Sequence, residues 1–110
     1  MTQEQTLSRA GTLARRAGAA GVRDDQLSLA LVHLKRHRSV AATLALLAEL
    51  KRSPFARRSG RSRDQLKALD EHVRAALQGI SAWDEAAEIV GWARRLVAFY
   101  QPQQSQGDRG

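Results

Sequence analysis

The spacing of the apolar residues constrains the fold of this chain more than any other feature. In several segments they recur every three or four residues, which places them on one face of an α-helix, and no run alternates with the period of two that a strand requires. The clearest stripe is Leu66, Leu69, Val73, Leu77 and Ile80. Repeated over 110 residues, this pattern predicts an all-α protein, a compact bundle of about five helices.

Capping residues and helix breakers set the predicted helix limits. The five helices are predicted over residues 3–17, 24–38, 40–52, 62–79 and 82–101. We expect Gly18 and Gly21 to end the first helix, and the carboxylates of Asp24 and Asp25 to cap the second. Ser39 is expected to cap the third helix, although the second and third could instead be continuous.

The fourth helix is predicted to begin with a capping box, in which Ser62 pairs with Gln65 three residues later. The helical domain then spans residues 1–101. The polar sequence PQQSQGDRG, residues 102–110, has no apolar anchor and is predicted to be a disordered tail.

The last predicted helix is apolar over more than one face. Two interpretations remain open: the helix is central to the bundle, or part of its surface contacts a neighbouring subunit. Either interpretation predicts that Trp83 and Trp92 are largely buried. The apolar residues concerned are Trp83, Ile89, Val90, Trp92, Leu96, Val97, Phe99 and Tyr100.

Positive charge is concentrated in the middle of the chain. The net charge is +7, and residues 35–63 hold nine basic side chains and one acidic one. Six of the nine lie in KRSPFARRSGRSR, residues 51–63, which Pro54 and the serines and glycine indicate to be a loop. Clustered arginine and lysine favour a polyanionic partner such as nucleic acid, whereas the alternative is a solvated surface loop.

Other features of the sequence narrow the functional classes. No cysteine is present, which excludes disulfides and thiolate metal sites and favours a reducing cytoplasm. No apolar run approaches the roughly 20 residues that span a bilayer, so no membrane association is expected. His33 and His37 lie one helical turn apart, but Arg36 and Arg38 would repel a cation there. We therefore predict no catalytic residues, no metal, no cofactor and no enzymatic activity.

The predicted nucleic-acid contacts come from the basic run and from the last helix. Phe55 within the run could stack on a base or anchor the loop on the bundle. The basic residues of the last helix could instead balance its own carboxylates, Glu85 and Glu88. The predicted contacts are Lys51, Arg52, Arg57, Arg58, Arg61, Arg63, Arg94 and Arg95.

Two segments resemble a known family. AEIVGWARRLVAFYQ, residues 87–101, and SVAATLALLAEL, residues 39–50, are similar to the last and central helices of the small helical subunit of type III CRISPR effector complexes. The sparse first helix and the long basic run have no counterpart in that resemblance.

The resemblance implies a noncatalytic role in a ribonucleoprotein. Copies of such a subunit stack along the complex, beside the guide–target RNA duplex, and contact its backbone without reading its sequence. Arg94 and Arg95 are the positions that match. Two other functions fit the composition, a DNA-binding transcriptional regulator and a helical adaptor for an acidic protein partner. SVAATLALLAEL offers few polar side chains for reading base edges, which disfavours the regulator.

Overall fold

A computed structural model describes residues 2–52 and 60–101, with the backbone alone for residues 60–62. The described part contains only helices, which confirms the predicted all-α class. The predicted tail at residues 102–110 lies outside it. The helices are α1 (Gln3–Ala19), α2 (Asp24–His37), α3 (Val40–Arg52), α4 (Gly60–Ala76) and α5 (Trp83–Leu96), and a 3-10 turn (Val97–Tyr100) continues α5.

The helices pack in a ring whose order differs from their order in the chain. Helix α5 lies between α1 and α2, and α3 and α4 close the ring from α2 back to α1. A single apolar core fills the centre. Burying each of its larger side chains stabilises the fold by about 1.5–3 kcal/mol. The fully buried leucines and isoleucine of that core are Leu13, Leu27, Leu34, Leu47, Leu69 and Ile89.

Helix α5 is one member of the ring and packs against α1 on one side and α2 on the other, and the alternative interpretation, a contact with a neighbouring subunit, stays a prediction. Its inner face is made mainly of small residues, among them Ala86, Val90 and Ala93, which let α1 and α2 approach closely. Neither tryptophan is buried in the core of the chain itself, since Trp83 is partly exposed and Trp92 is 38% exposed, and their burial at a contact with a neighbouring subunit stays a prediction. Both bulky rings lie at the edges of the packed face because alanine and valine already fill it.

The junction between α2 and α3 is a two-residue break, Arg38 and Ser39, with a cap on each side. Arg38 adopts the left-handed conformation, with φ of 52°, and its N–H donates to the Leu34 carbonyl at 2.8 Å. The Ser39 hydroxyl then accepts from the N–H of Ala42 at 3.0 Å, which confirms Ser39 as the cap of α3. The two helices are therefore separate.

The predicted cap of α2 is wrong by one residue. Arg23 is the capping position, and its N–H donates to the Gln26 side chain at 2.9 Å. Asp24 and Asp25 lie within the first turn instead, where their charges still complement the positive end of the helix.

The predicted ends of α4 and α5 also need correction. Helix α4 begins at Gly60, so Ser62 lies in its first turn and is not its cap. Serine and arginine are both tolerated in a first turn, so the helix continues upstream of the capping pattern. Helix α4 ends at Ala76, and Gly79, with φ of 81°, forms the turn that follows. The α-helical part of α5 ends at Leu96, and the last residues before Gln101 tighten into the 3-10 turn.

Gly18 does not end α1, because that helix continues to Ala19. Gly21, with φ of 89°, makes the turn instead. Gly18 is the point at which the 3-10 turn packs on α1: a Cβ at this position would lie 2.8 Å from the Tyr100 Cβ.

Candidate nucleic-acid interface

The fold divides the basic middle of the chain between two ends of the bundle. Lys35, Arg36 and Arg38 lie where α2 ends, whereas Lys51 and Arg52 lie at the far end of α3. At 1.5 Å per residue, α3 separates the two groups by about 20 Å. The predicted basic loop is itself partly helical, since its first two residues end α3 and its last four begin α4.

Lys51 is engaged within the fold. Its Nζ lies 2.7 Å from one oxygen of Asp70, and the Arg74 guanidinium lies 2.8 Å from the other. Asp70 is only 3% exposed. Burial by itself raises the pKa of the Asp70 carboxyl, but the hydrogen bonds and charges of Lys51 and Arg74 outweigh it and hold the pKa below its ordinary value. Lys51 thus neutralises a buried carboxylate that joins α3 to α4.

The other predicted residues of the basic run are less constrained by the structure. Arg52 is exposed, and its Nε donates to the Ala48 carbonyl of its own helix. Arg63 is exposed in the first turn of α4, beside the exposed Asp64. Arg61 belongs to the same turn by its backbone, and Arg57 and Arg58 lie outside the described residues.

The two arginines predicted on the last helix line a groove between α2 and α5. The helices run antiparallel there: the Arg38 guanidinium lies 5.6 Å from the centre of the Trp83 ring, and Leu31 packs beside Gly91. The groove has a volume of about 290 Å³. Its lining residues are Leu31, Lys35, Ala87, Glu88, Gly91, Trp92, Arg94 and Arg95.

Lys35 and Trp92 are the groove residues that sequence reasoning missed as contacts. Trp92 and Arg95 are three apart, so their proximity on one helical face follows from the sequence. Lys35 belongs to another helix and reaches the groove only through the packing of α2 on α5. No local sequence pattern predicts that Lys35 lies beside the arginines of α5.

The groove carries more positive than negative charge. Lys35, Arg94 and Arg95 line it together with one carboxylate, Glu88. The Arg95 guanidinium lies 5.3 Å from the centre of the Trp92 ring, a cation–π contact that contributes about 0.5–1 kcal/mol when exposed. The Nε of Arg94 is buried and has no hydrogen-bond partner among the described residues. Such a cationic, open groove suits an anion with several acceptor oxygens.

The histidine pair belongs to the joint between α2 and α3. The rings of His33 and His37 are 4.2 Å apart, and His33 Nδ1 lies 3.0 Å from the Thr43 hydroxyl oxygen. That hydroxyl donates to the Ser39 carbonyl, so His33 is the donor to Thr43. Burial, together with the charges of His37 and Arg36, lowers the pKa of His33. No group of three potential metal ligands occurs within the described ranges.

The chain matches no family model, no curated protein and no solved structure. Of the helices described, none combines the length and the apolar character needed to cross a membrane.

Proposed function

We propose that this chain is a noncatalytic small subunit of a larger ribonucleoprotein, where it binds the phosphate backbone of RNA. The observation that carries the proposal is the groove between α2 and α5, in which Lys35, Arg94 and Arg95 meet beside an exposed tryptophan. The resemblance to the small subunit of type III CRISPR effectors makes the guide–target duplex the expected ligand. Other subunits, including copies of this chain, are the expected partners, in the cytoplasm.

The electrostatics of the groove favour backbone binding over recognition of bases. Each cation that neutralises a phosphate releases condensed counterions, which gives affinity independent of sequence. Arginine adds a planar pair of donors that matches two phosphate oxygens. The net charge of +7 extends the attraction beyond the groove itself.

The structure gives less support to a DNA-binding regulator. In a helix-turn-helix, α3 would have to present polar side chains to the major groove. Its outward face instead presents Ala41, Ala45 and Glu49, with Arg52 at the end. Two alanines and a carboxylate cannot supply the donors that read guanine or approach the phosphates.

A salt series tests the proposal. The double variant Lys35→Gln/Arg95→Gln removes two groove charges, and Arg15→Gln/Lys67→Gln removes the same charges from exposed positions on α1 and α4. For a single-stranded RNA, the groove variant should flatten the plot of log K against log salt by about 1.4, and the control should leave the slope nearly unchanged.

Two results would count against the proposal. Equal slopes for the groove and control variants would assign the binding to diffuse charge. An acidic polypeptide that binds more tightly than RNA, and whose binding the groove variant abolishes, would favour the protein-adaptor function instead.

A further inference from the structure

Trp92 and Arg95 form an exposed cation–π pair at the groove. Trp92 is 38% exposed on a helix whose inner face is closely packed, and the Arg95 guanidinium lies 5.3 Å from the centre of its ring. From this pair we infer that the groove takes one unpaired base, which stacks on Trp92 and Arg95 while its phosphates contact Lys35 and Arg94. The inference rests on the backbone binding proposed above, but it changes the expected ligand of the groove from the guide–target duplex to a single-stranded segment of RNA.

The chemistry of the pair suits a base of any identity. Indole rings and guanidinium planes both stack on nucleobases, and every base has a π-face. Because Trp92 is exposed and Arg95 lies at its ring, an incoming base can stack there without a new pocket. A fully paired duplex keeps its bases stacked on one another and offers the pair only sugar and phosphate.

The rest of the groove positions the backbone beside that base. Glu88 precedes Trp92 by one helical turn, and its carboxylate repels phosphate from that side. Lys35 approaches from α2, and Arg94 follows Trp92 on α5.

Tryptophan fluorescence tests the inference directly. The chain has two tryptophans, so Trp83→Phe leaves Trp92 as the only indole. A single-stranded oligoribonucleotide should quench its emission strongly, and a fully paired RNA of the same length should quench it weakly at equal saturation. Trp92→Leu should weaken single-strand binding about tenfold, as expected from the loss of one stacked base, and duplex binding by less than about twofold.

Controls separate this inference from the proposed function. Trp92→Phe keeps an aromatic face and should restore most of the affinity, and circular dichroism should be unchanged in both variants because the ring is at the surface. Single-strand binding without quenching, and unaffected by Trp92→Leu, would overturn the stacking and leave backbone binding intact. No binding of either RNA would overturn both. Quenching by an acidic polypeptide but not by RNA would assign the pair to a protein partner.

Discussion

At the scale of single residues, the buried carboxylate of Asp70 is the most consequential charge in the fold. It is held by Lys51 and Arg74, and Arg74 also donates to the Leu44 carbonyl. Replacing Asp70 by Asn leaves two cations without a counter-charge at the contact of α3 and α4. We expect Asp70→Asn to lower the free energy of unfolding by about 2 kcal/mol in urea denaturation. Wild-type stability in this variant would mean that the ion pairs contribute little.

The same carboxyl predicts a dependence of stability on pH. Its folded-state pKa lies below the ordinary value of 3.8, so the folded state binds the proton less readily than the unfolded chain. The contribution of Asp70 is therefore fully present well above that pH and is lost as the pH falls through the folded pKa. Between about pH 5 and pH 2, unfolding free energy should fall less steeply for Asp70→Asn than for the wild type. Parallel curves would contradict this assignment.

Replacing Glu88 should change RNA affinity in the opposite direction to replacing a cation of the groove. Every other substitution of a charged groove residue removes a cation and should weaken RNA binding, whereas Glu88→Gln removes the one carboxylate. For exposed charges several ångströms apart, the repulsion relieved is about 0.5 kcal/mol. Binding measured at low salt should then tighten about twofold, and Glu49→Gln, on the outward face of α3, is the matched control. Weaker binding of Glu88→Gln would show that the carboxylate contacts the ligand.

At the scale of elements, the contact between α1 and the 3-10 turn depends on one missing side chain. Gly18→Ala gains helix propensity but places a Cβ 2.8 Å from the Tyr100 Cβ. We expect the steric cost to exceed the gain in helix propensity, so the free energy of unfolding should fall by about 1–3 kcal/mol in thermal or urea unfolding.

Gly11 supplies the control within the same helix. A Cβ at that position meets nothing within 4 Å, so Gly11→Ala should raise stability by roughly 0.5–1 kcal/mol. Lower stability in both variants would show that alanine destabilises α1 regardless of the contact with Tyr100. Higher stability in both variants would show that the 3-10 turn moves away from Gly18 at no cost.

The helices differ in how accurately the sequence predicts their limits and contacts. Helix α3 begins where the sequence predicts because Ser39 caps it locally. The prediction for Gly18 is wrong because glycine often ends helices by its backbone freedom, whereas here its missing side chain allows a contact with Tyr100, a residue far along the chain. Local signals thus set caps and periodicity, and close approaches between elements depend on the tertiary fold.

At the scale of the whole molecule, the candidate groove illustrates the same limit. Apolar spacing indicates the helical fold, the clustered charge predicts a polyanionic partner, and the pairing of Trp92 with Arg95 follows from helical spacing. Lys35 lies opposite them only because α2 packs antiparallel to α5. Conversely, Lys51 is less available for the predicted contact with nucleic acid because it pairs with Asp70. Asp70 lies 19 residues away, and no local sequence pattern predicts the pair.

The ring order of the helices has a consequence for synthesis of the chain. Helix α5 leaves the ribosome after the other four helices, yet it is the helix on which both α1 and α2 pack. Until it emerges, those two helices carry uncovered apolar stripes, so the nascent chain cannot complete its core step by step from the N-terminus. Folding of the core is therefore delayed until α5 has emerged, and in that interval a chaperone has access to the surfaces that α5 later covers.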